Sequence, residues 1–335
     1  MNTVAAYLAR HREPLELEAY NIAPDPPVVL ITPRFALSAH VVALVLARDG
    51  RPALAAKLPR RTDDGGALAR EAENLRTVGA ALDDDGTTPA VVVFDEDLPH
   101  PLLLQQALRG TPLSGPALRR GGDATVRAVV AWCDRLAQAS TRPPDFDVYA
   151  ALALDPARRL ADAAGADATL RRLAQRTVAL VGDLIGAGVP HVFEHGDLGH
   201  PNLLLGDDGR LGVLDFERAH RFGLVGHDAA FFLTYAAMAR SAQPTRAAVI
   251  DAFYGARPWA MDLLGGHLEH AGLEPGLADT VLAVSCCRVV AAAQAEGLAP
   301  RPDGRDAPAR HLAVWERALE GAAMGHRHAP AAVGA

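Results

Sequence analysis

The chain has 335 residues, half of them hydrophobic and 22% charged, which is too long for one small core and too apolar for extended disorder. Its formal net charge of -7 argues against a nucleic-acid partner, which would call for a basic face. The three cysteines, Cys133 and the adjacent Cys286 and Cys287, form neither a disulfide framework nor a zinc-binding spacing.

The longest apolar run, Val281 to Ala293, is interrupted by Arg288 and is too short to span a bilayer. The opening stretch, Met1 to Arg12, lacks the apolar core of a signal peptide. The expectation is a soluble, cytoplasmic protein with neither a membrane nor a nucleic-acid partner. One bias in the composition is informative: of 33 basic residues only Lys57 is a lysine. Arginine serves wherever charge alone suffices, so the surviving lysine marks a task for a compact ammonium rather than a planar guanidinium.

In chain order, residues 1–26 read as short helix or irregular structure ending in prolines. Strand-type runs follow at Val28–Thr32, Val41–Ala47 and Ala53–Leu58. Asp49-Gly50 separates the last two as a hairpin turn, which puts Lys57 near the end of the return strand. A helix is predicted over Ala67–Ala81, with Leu68, Ala72, Leu75 and Val78 on one face and Glu71 near it. Strands at Ala90–Phe94 and Leu102–Gln106 complete a small, mostly antiparallel sheet.

Beyond Arg109-Gly110-Thr111-Pro112 helical periodicity dominates. A helix capped by Asp123 and running through Ser140 turns Val126, Val130, Cys133 and Ala137 inward. Further helices are expected at Ala157–Ile185, His227–Ser241, Arg246–Tyr254, Trp259–Ala271, Leu277–Glu296 and Ala309–Ala322. Between them His191–Glu217 is strand-like, with Asp208-Gly209 as a second hairpin turn. Trp132, Trp259 and Trp315 read as packing residues. The fold class is therefore α+β in two lobes, 1–106 and 107–324, with 325–335 as a disordered tail.

Within the strand-like stretch, His195-Gly196-Asp197-Leu198-Gly199-His200-Pro201-Asn202 is followed by Leu214-Asp215-Phe216-Glu217. Phosphoryl transfer needs a carboxylate near the acceptor hydroxyl, hard oxygen ligands for Mg²⁺, and a cation on the donor phosphates. Asp197 suits the first task, Asn202 and Asp215 the second, and Lys57 the third. His195 suits a hydrogen-bonding brace. Glu217 suits either a metal contact or backbone donors, and His200 either an acceptor or solvent.

The form H-G-D-x-x-x-x-N followed by L-D-F-E resembles the aminoglycoside phosphotransferase and choline kinase-like families of small-molecule kinases. Leu102 to Leu113 is similar to their hinge, a strand entering an L-x-G-x-P-L turn. Arg70-Glu71-Ala72-Glu73-Asn74-Leu75 is similar to their R-E-A-x-x-L helix, and Gly226-His227-Asp228-Ala229-Ala230 to a later D-L-A element whose Asp is usually structural. The resemblance implies a two-lobed protein-kinase-like fold and the use of ATP with Mg²⁺. It implies Glu71 as the partner of Lys57, with Glu73 the competing acid, and an adenine edge bonded to the backbone around Gln105, Gln106 and Leu108. The chain departs from a Gly-rich nucleotide loop at Phe35-Ala36-Leu37-Ser38-Ala39-His40, where Ser38 is the candidate phosphate contact.

The implied reaction moves the γ-phosphoryl of ATP to a hydroxyl of a small molecule, first of all an aminoglycoside-like or other antibiotic. A metabolic acceptor such as choline or an amino sugar shares every motif, and Asp251, Asp262, Glu269 and Asp279 would suit a cationic one. A non-catalytic nucleotide-binding protein is the third expectation; it has no chemical need for Lys57, Asp197, Asn202 and Asp215 together.

Overall fold

The computed structural model describes residues 3–31, 40–61, 65–163, 167–199, 202–241, 246–298 and 306–328. The elements run α1 (Thr3–Arg10), β1 (Val28–Ile31), β2 (His40–Leu46), β3 (Pro52–Pro59), α2 (Gly65–Ala81), β4 (Val91–Asp95), β5 (Leu102–Gln106) and β6 (Thr111–Pro112). They continue with α3 (Gly115–Ser140), α4 (Phe146–Tyr149), α5 (Asp155–Asp162), α6 (Ala168–Gly186), β7 (His191–Glu194), β8 (Leu203–Leu205), β9 (Leu211–Val213) and β10 (His220–Leu224). Five helices close the chain: α7 (His227–Arg240), α8 (Arg246–Tyr254), α9 (Trp259–His270), α10 (Ala278–Ala295) and α11 (Ala307–His328).

The chain forms two compact units, Met1–Pro112 with Asn202–Ala219, and Leu113–Pro201 with His220–Ala335. The hairpin that carries Asn202 and Asp215 therefore belongs to the unit of the N-terminal sheet, whereas a boundary drawn along the sequence at 106/107 assigns it to the C-terminal lobe.

In the first unit an antiparallel sheet has the strand order β1-β2-β3-β5-β4. Its hairpin turn falls at Asp49-Gly50 as expected. Side chains alternate across a strand, so one face gathers Ala43, Val45, Leu54, Ala56, Leu102 and Leu104. That face packs with Val4, Leu8, Leu17 and Ile22 into one buried cluster. The opposite face carries Lys57 and receives α2, whose Leu68, Ala72, Leu75 and Val78 are all buried. A second, three-stranded sheet, β6-β8-β9, contains the short β6, which the sequence reading did not anticipate.

The second unit is mainly helical. Its helix α3 starts earlier than expected, because the Ser114 side chain accepts from Ala117 N at 3.3 Å and a proline occupies the first turn. Gly122, with φ 57° and ψ −141°, interrupts it, so a second helical segment runs from Asp123 through Ser140 as expected, with the Asp123 carboxylate paired to Arg240 rather than capping. The predicted long helix Ala157–Ile185 is broken into α5 and α6, the latter capped by Asp167, which accepts from Thr169 N at 2.7 Å. Helix α11 runs to His328, past Gly325 where the sequence reading began a tail. The stretch Pro275–Ala295, 21 residues with mean hydropathy 1.6, is long and apolar enough to cross a membrane, longer than the run counted from sequence. Its most apolar window is 72% buried by α11, α6, α5 and other neighbours, which identifies a core helix. Trp132 and Trp315 are fully buried, and the Trp315 indole donates to Thr177 Oγ1 at 3.0 Å.

Candidate active site

Pairing of β3 with β2 and β5 sets Lys57 opposite Val42 and Leu103. Its ammonium lies 2.5 Å from Glu71 Oε1 and 2.6 Å from Asp215 Oδ1, with the lysine only 7% exposed. Burial pulls the lysine pKa down, but the two carboxylates outweigh it and raise the value above that of a free lysine, so the group stays charged. Burial raises the Glu71 carboxyl while Lys57 opposes; the 2.5 Å charge-assisted contact favours the ionised pair. Of the two acids on α2 it is Glu71 that meets Lys57, and Glu73 is exposed.

Asp215 adopts φ 68°, ψ 71°, a left-handed conformation rare for any residue with a side chain. Such strain persists only where surrounding structure enforces it. Here the enforcement is visible on both sides. Before it, Leu214 N donates to Asn202 O at 2.8 Å, closing the mouth of the β8–β9 hairpin, whose register pairs Leu203 with Val213. After it comes a 3-10 turn, Phe216–Arg218, fastened to α2 by Asn74, whose amide donates to Phe216 O at 3.1 Å and Ala219 O at 3.3 Å. Asn74 lies one turn beyond Glu71, so a single helix orients both the lysine partner and the Asp215 turn.

Asn202 and Asp215 thus flank one hairpin end and offer amide and carboxylate oxygen. That donor set fits Mg²⁺, which takes one or two carboxylates and completes its shell with water and phosphate oxygen. Among the described residues no group of three or more His, Cys, Asp or Glu side chains forms a metal cage. Glu217, left open between metal and backbone, pairs with His40 Nδ1 at 3.2 Å.

At the predicted hinge, Gln106 N and Ala107 N donate to Ala90 O and Ala53 O, so neither amide is available for an adenine edge; Leu108 lies past the end of β5. Gln106 is exposed, Gln105 is buried, and Leu108 lies against Gly212 of the β8–β9 hairpin. Gly110, with φ 145°, passes so close to Leu205 that a Cβ would meet its carbonyl oxygen at 2.9 Å. Ser38 and His200 lie outside the described residues.

Asp197 belongs to the second unit and is partly exposed. Its loop is held from behind by Asp228 at the start of α7, which accepts from His195 N at 2.6 Å and Gly196 N at 2.9 Å. Gly196 takes φ 79°, and the Asp197 N–H then turns back to His195 Nδ1 at 3.2 Å, so the fully buried His195 braces the loop. Burial, with Glu194 nearby, pushes the Asp228 carboxyl up to about 7. Glu194, 1% exposed, is gripped by both Arg288 nitrogens at 2.8 and 2.7 Å and accepts from Leu224 N at 2.8 Å. Burial alone would raise the Glu194 carboxyl, but the guanidinium holds it well below the usual range.

Sequence reasoning missed three contributors. In the sequence Arg288 stands out only as an interruption of an apolar run, yet a lone charge inside a buried helix is itself the signal of a buried partner. Asn74 gave no local signal. Arg310, only 7% exposed on α11 and 5.5 Å over the Tyr235 ring, lies close enough to Asp197 for the two charges to interact. Of the acids considered for a cationic acceptor, Asp279 is bonded to Tyr254 Oη at 2.7 Å, and Asp251, Asp262 and Glu269 are exposed.

An antiparallel sheet with a lysine clamped by its helix, together with a helical unit presenting a braced aspartate loop, defines the α+β fold of protein-kinase-like small-molecule kinases. Residues 37–263 match the phosphotransferase enzyme family model, and the chain belongs to that family. The match takes in Lys57, Glu71, Asp197, Asn202, Asp215 and Asp228, and leaves α10 and α11 outside. An aminoglycoside 2'-phosphotransferase-IIIa solved with GDP is similar in structure, with 12% identity over 96% of this chain and 99% of that one and a TM-score of 0.58. An ethanolamine kinase from Plasmodium vivax is 11% identical over 95% and 90% of the two chains, with a TM-score of 0.54. A macrolide 2'-phosphotransferase from Brachybacterium faecium is 19% identical over 92% and 97%, with a TM-score of 0.53. None of the curated proteins matches the chain in sequence.

Proposed function

We propose that this small-molecule kinase transfers the γ-phosphoryl of ATP to a hydroxyl of an aminoglycoside-like or other antibiotic or natural product, working in the cytoplasm. The observation that carries the reading is Lys57 held between Glu71 and Asp215 with Asn202 across the hairpin end. In this reading Lys57 binds the α/β-phosphates, its charge secured by Glu71, and Ser38 and the Gln105–Leu108 segment contribute to nucleotide binding. Asn202 and Asp215 hold Mg²⁺, which when bound neutralises charge on the donor phosphates. Asp197 orients the acceptor hydroxyl for in-line attack and takes up its proton, and the Asp228 and His195 bonds keep that carboxylate in place.

A second reading of the acceptor has an observation of its own. The Arg310 guanidinium disfavours several positive charges close to Asp197, which supports a neutral or singly charged acceptor such as a sugar or an amino alcohol. An ATP-consumption screen with aminoglycosides, macrolides, nucleoside antibiotics, choline and amino sugars separates the two. Asp197→Ala is expected to abolish turnover while Mg²⁺-dependent nucleotide binding persists. Absence of both turnover and nucleotide binding in the native protein would refute the proposal and favour a different role for the fold.

A further inference from the structure

The Gln105 side chain is a buried amide near the end of β5. It is 4% exposed, and its Oε1 has no hydrogen-bond partner among the described residues. Orphaned buried polar atoms are rare in folded proteins, and each calls for a reason. The register supplies one. Gln105 pairs with Ala55 and Leu103 with Lys57, so these four residues share a face of the sheet. Leu54, Ala56, Leu102 and Leu104 occupy the other face and are sealed in the apolar cluster. The orphaned oxygen therefore lies on the Lys57 face, two residues along β5 from the lysine's own partner.

A side-chain amide presents a carbonyl oxygen in one orientation and an NH₂ in the other. The purine bases differ at position 6 in the matching sense, an amino donor in adenine and a carbonyl acceptor in guanine. We propose that the Gln105 side-chain amide hydrogen-bonds the 6-substituent of the nucleotide's purine and, by turning over, accepts adenine and guanine nucleotides alike. Gln106 N and Ala107 N are already engaged in the sheet, so this side chain supplies base recognition that those two amides do not. The inference rests on the reading of the Lys57 face as a nucleotide site.

The test is direct binding of ATP and GTP, each with Mg²⁺, to the full chain by titration calorimetry. The native protein is expected to bind both within about tenfold of each other. Gln105→Glu can accept but not donate, so it should weaken GTP relative to ATP by about tenfold or more. Gln105→Met removes both polar groups at similar length and should weaken both nucleotides severalfold while leaving their ratio unchanged. An unchanged ratio in Gln105→Glu, or unchanged affinities in Gln105→Met, overturns the assignment, and the second result decides if the Glu variant fails to fold. Native protein that binds ATP at least a hundredfold more tightly than GTP overturns it as well. Native protein that binds neither overturns the nucleotide site itself, and the Gln105 assignment with it.

Discussion

Replacing Arg288 with Met is the most demanding test of how the aspartate loop is held. The substitution keeps an apolar stem in the interior and removes the guanidinium that makes two bonds, 2.8 and 2.7 Å, to Glu194. Glu194 would keep only Leu224 N, at 2.8 Å, on Oε2, and its Oε1 would face the interior unpaired. Breaking one side of a buried pair costs about 3–5 kcal/mol, because the remaining charge is left without compensation. With a urea slope of about 3 kcal/mol per M, the unfolding midpoint should fall by roughly 1–2 M. The effect has a pH signature. The native Glu194 carboxyl lies below its unfolded value, so its stabilisation is present above the ordinary Glu range and is lost as the pH falls through the lowered value. In the variant that depression is gone and Glu194 protonates readily, so the gap between the two proteins should narrow at acid pH. Adding Glu194→Gln to Arg288→Met should recover part of the loss. A single variant within about 1 kcal/mol of the native protein at neutral pH, measured by urea titration, would show that the pair does not hold the loop.

Lys57→Arg should cut ATP turnover by about a hundredfold or more with the fold intact by circular dichroism, since a planar guanidinium does not fit between carboxylates 2.5 and 2.6 Å from the ammonium. Ordinary turnover would remove the argument from the solitary lysine. Asp228 has a raised pKa of about 7, so its carboxyl binds a proton more readily folded than unfolded, and its contribution to stability should fall as the pH rises from the ordinary Asp range toward 7. The melting-temperature advantage of the native protein over Asp228→Asn should shrink across that interval. Burial raises the pKa of all three free thiols, Cys133, Cys286 and Cys287, so a thiol reagent should find none in the folded protein and three in denaturant.

What the sequence revealed follows the range of the interactions involved. The α2 stripe Leu68, Ala72, Leu75 and Val78 repeats at helical spacing, and the hairpin around Asp49-Gly50 is local, so both are visible in one window of sequence. From those two elements Lys57 falls near the end of its strand and Glu71 on the facing helix. Ser114-Gly115-Pro116 is also a local start signal, but the segment it opens ends at Gly122, and the start expected at Asp123 belongs to the second segment. The Glu194–Arg288 pair joins residues 94 positions apart, and no periodicity announces such a partner. The same holds for Asn74 on the Asp215 turn. The left-handed backbone of Asp215 is imposed by those distant bonds and has no counterpart in Leu214-Asp215-Phe216 itself.

The division of the chain also bears on the order in which it can fold as it is synthesised. Domains usually complete in sequence, the N-terminal one first. Here the sheet unit cannot do so, because Asn202–Ala219 is encoded after most of a hundred residues of the other unit. At ordinary elongation rates the nascent sheet waits roughly 5–20 s between Pro112 and Ala219. Throughout that interval Asn74 lacks the carbonyls of Phe216 and Ala219, Thr87 O lacks Val213 N, and the buried Lys57 has one carboxylate instead of two. A ribosome-bound chain halted before residue 202 should therefore be protease-sensitive around α2, and gain protection there only once the β8–β9 hairpin has emerged.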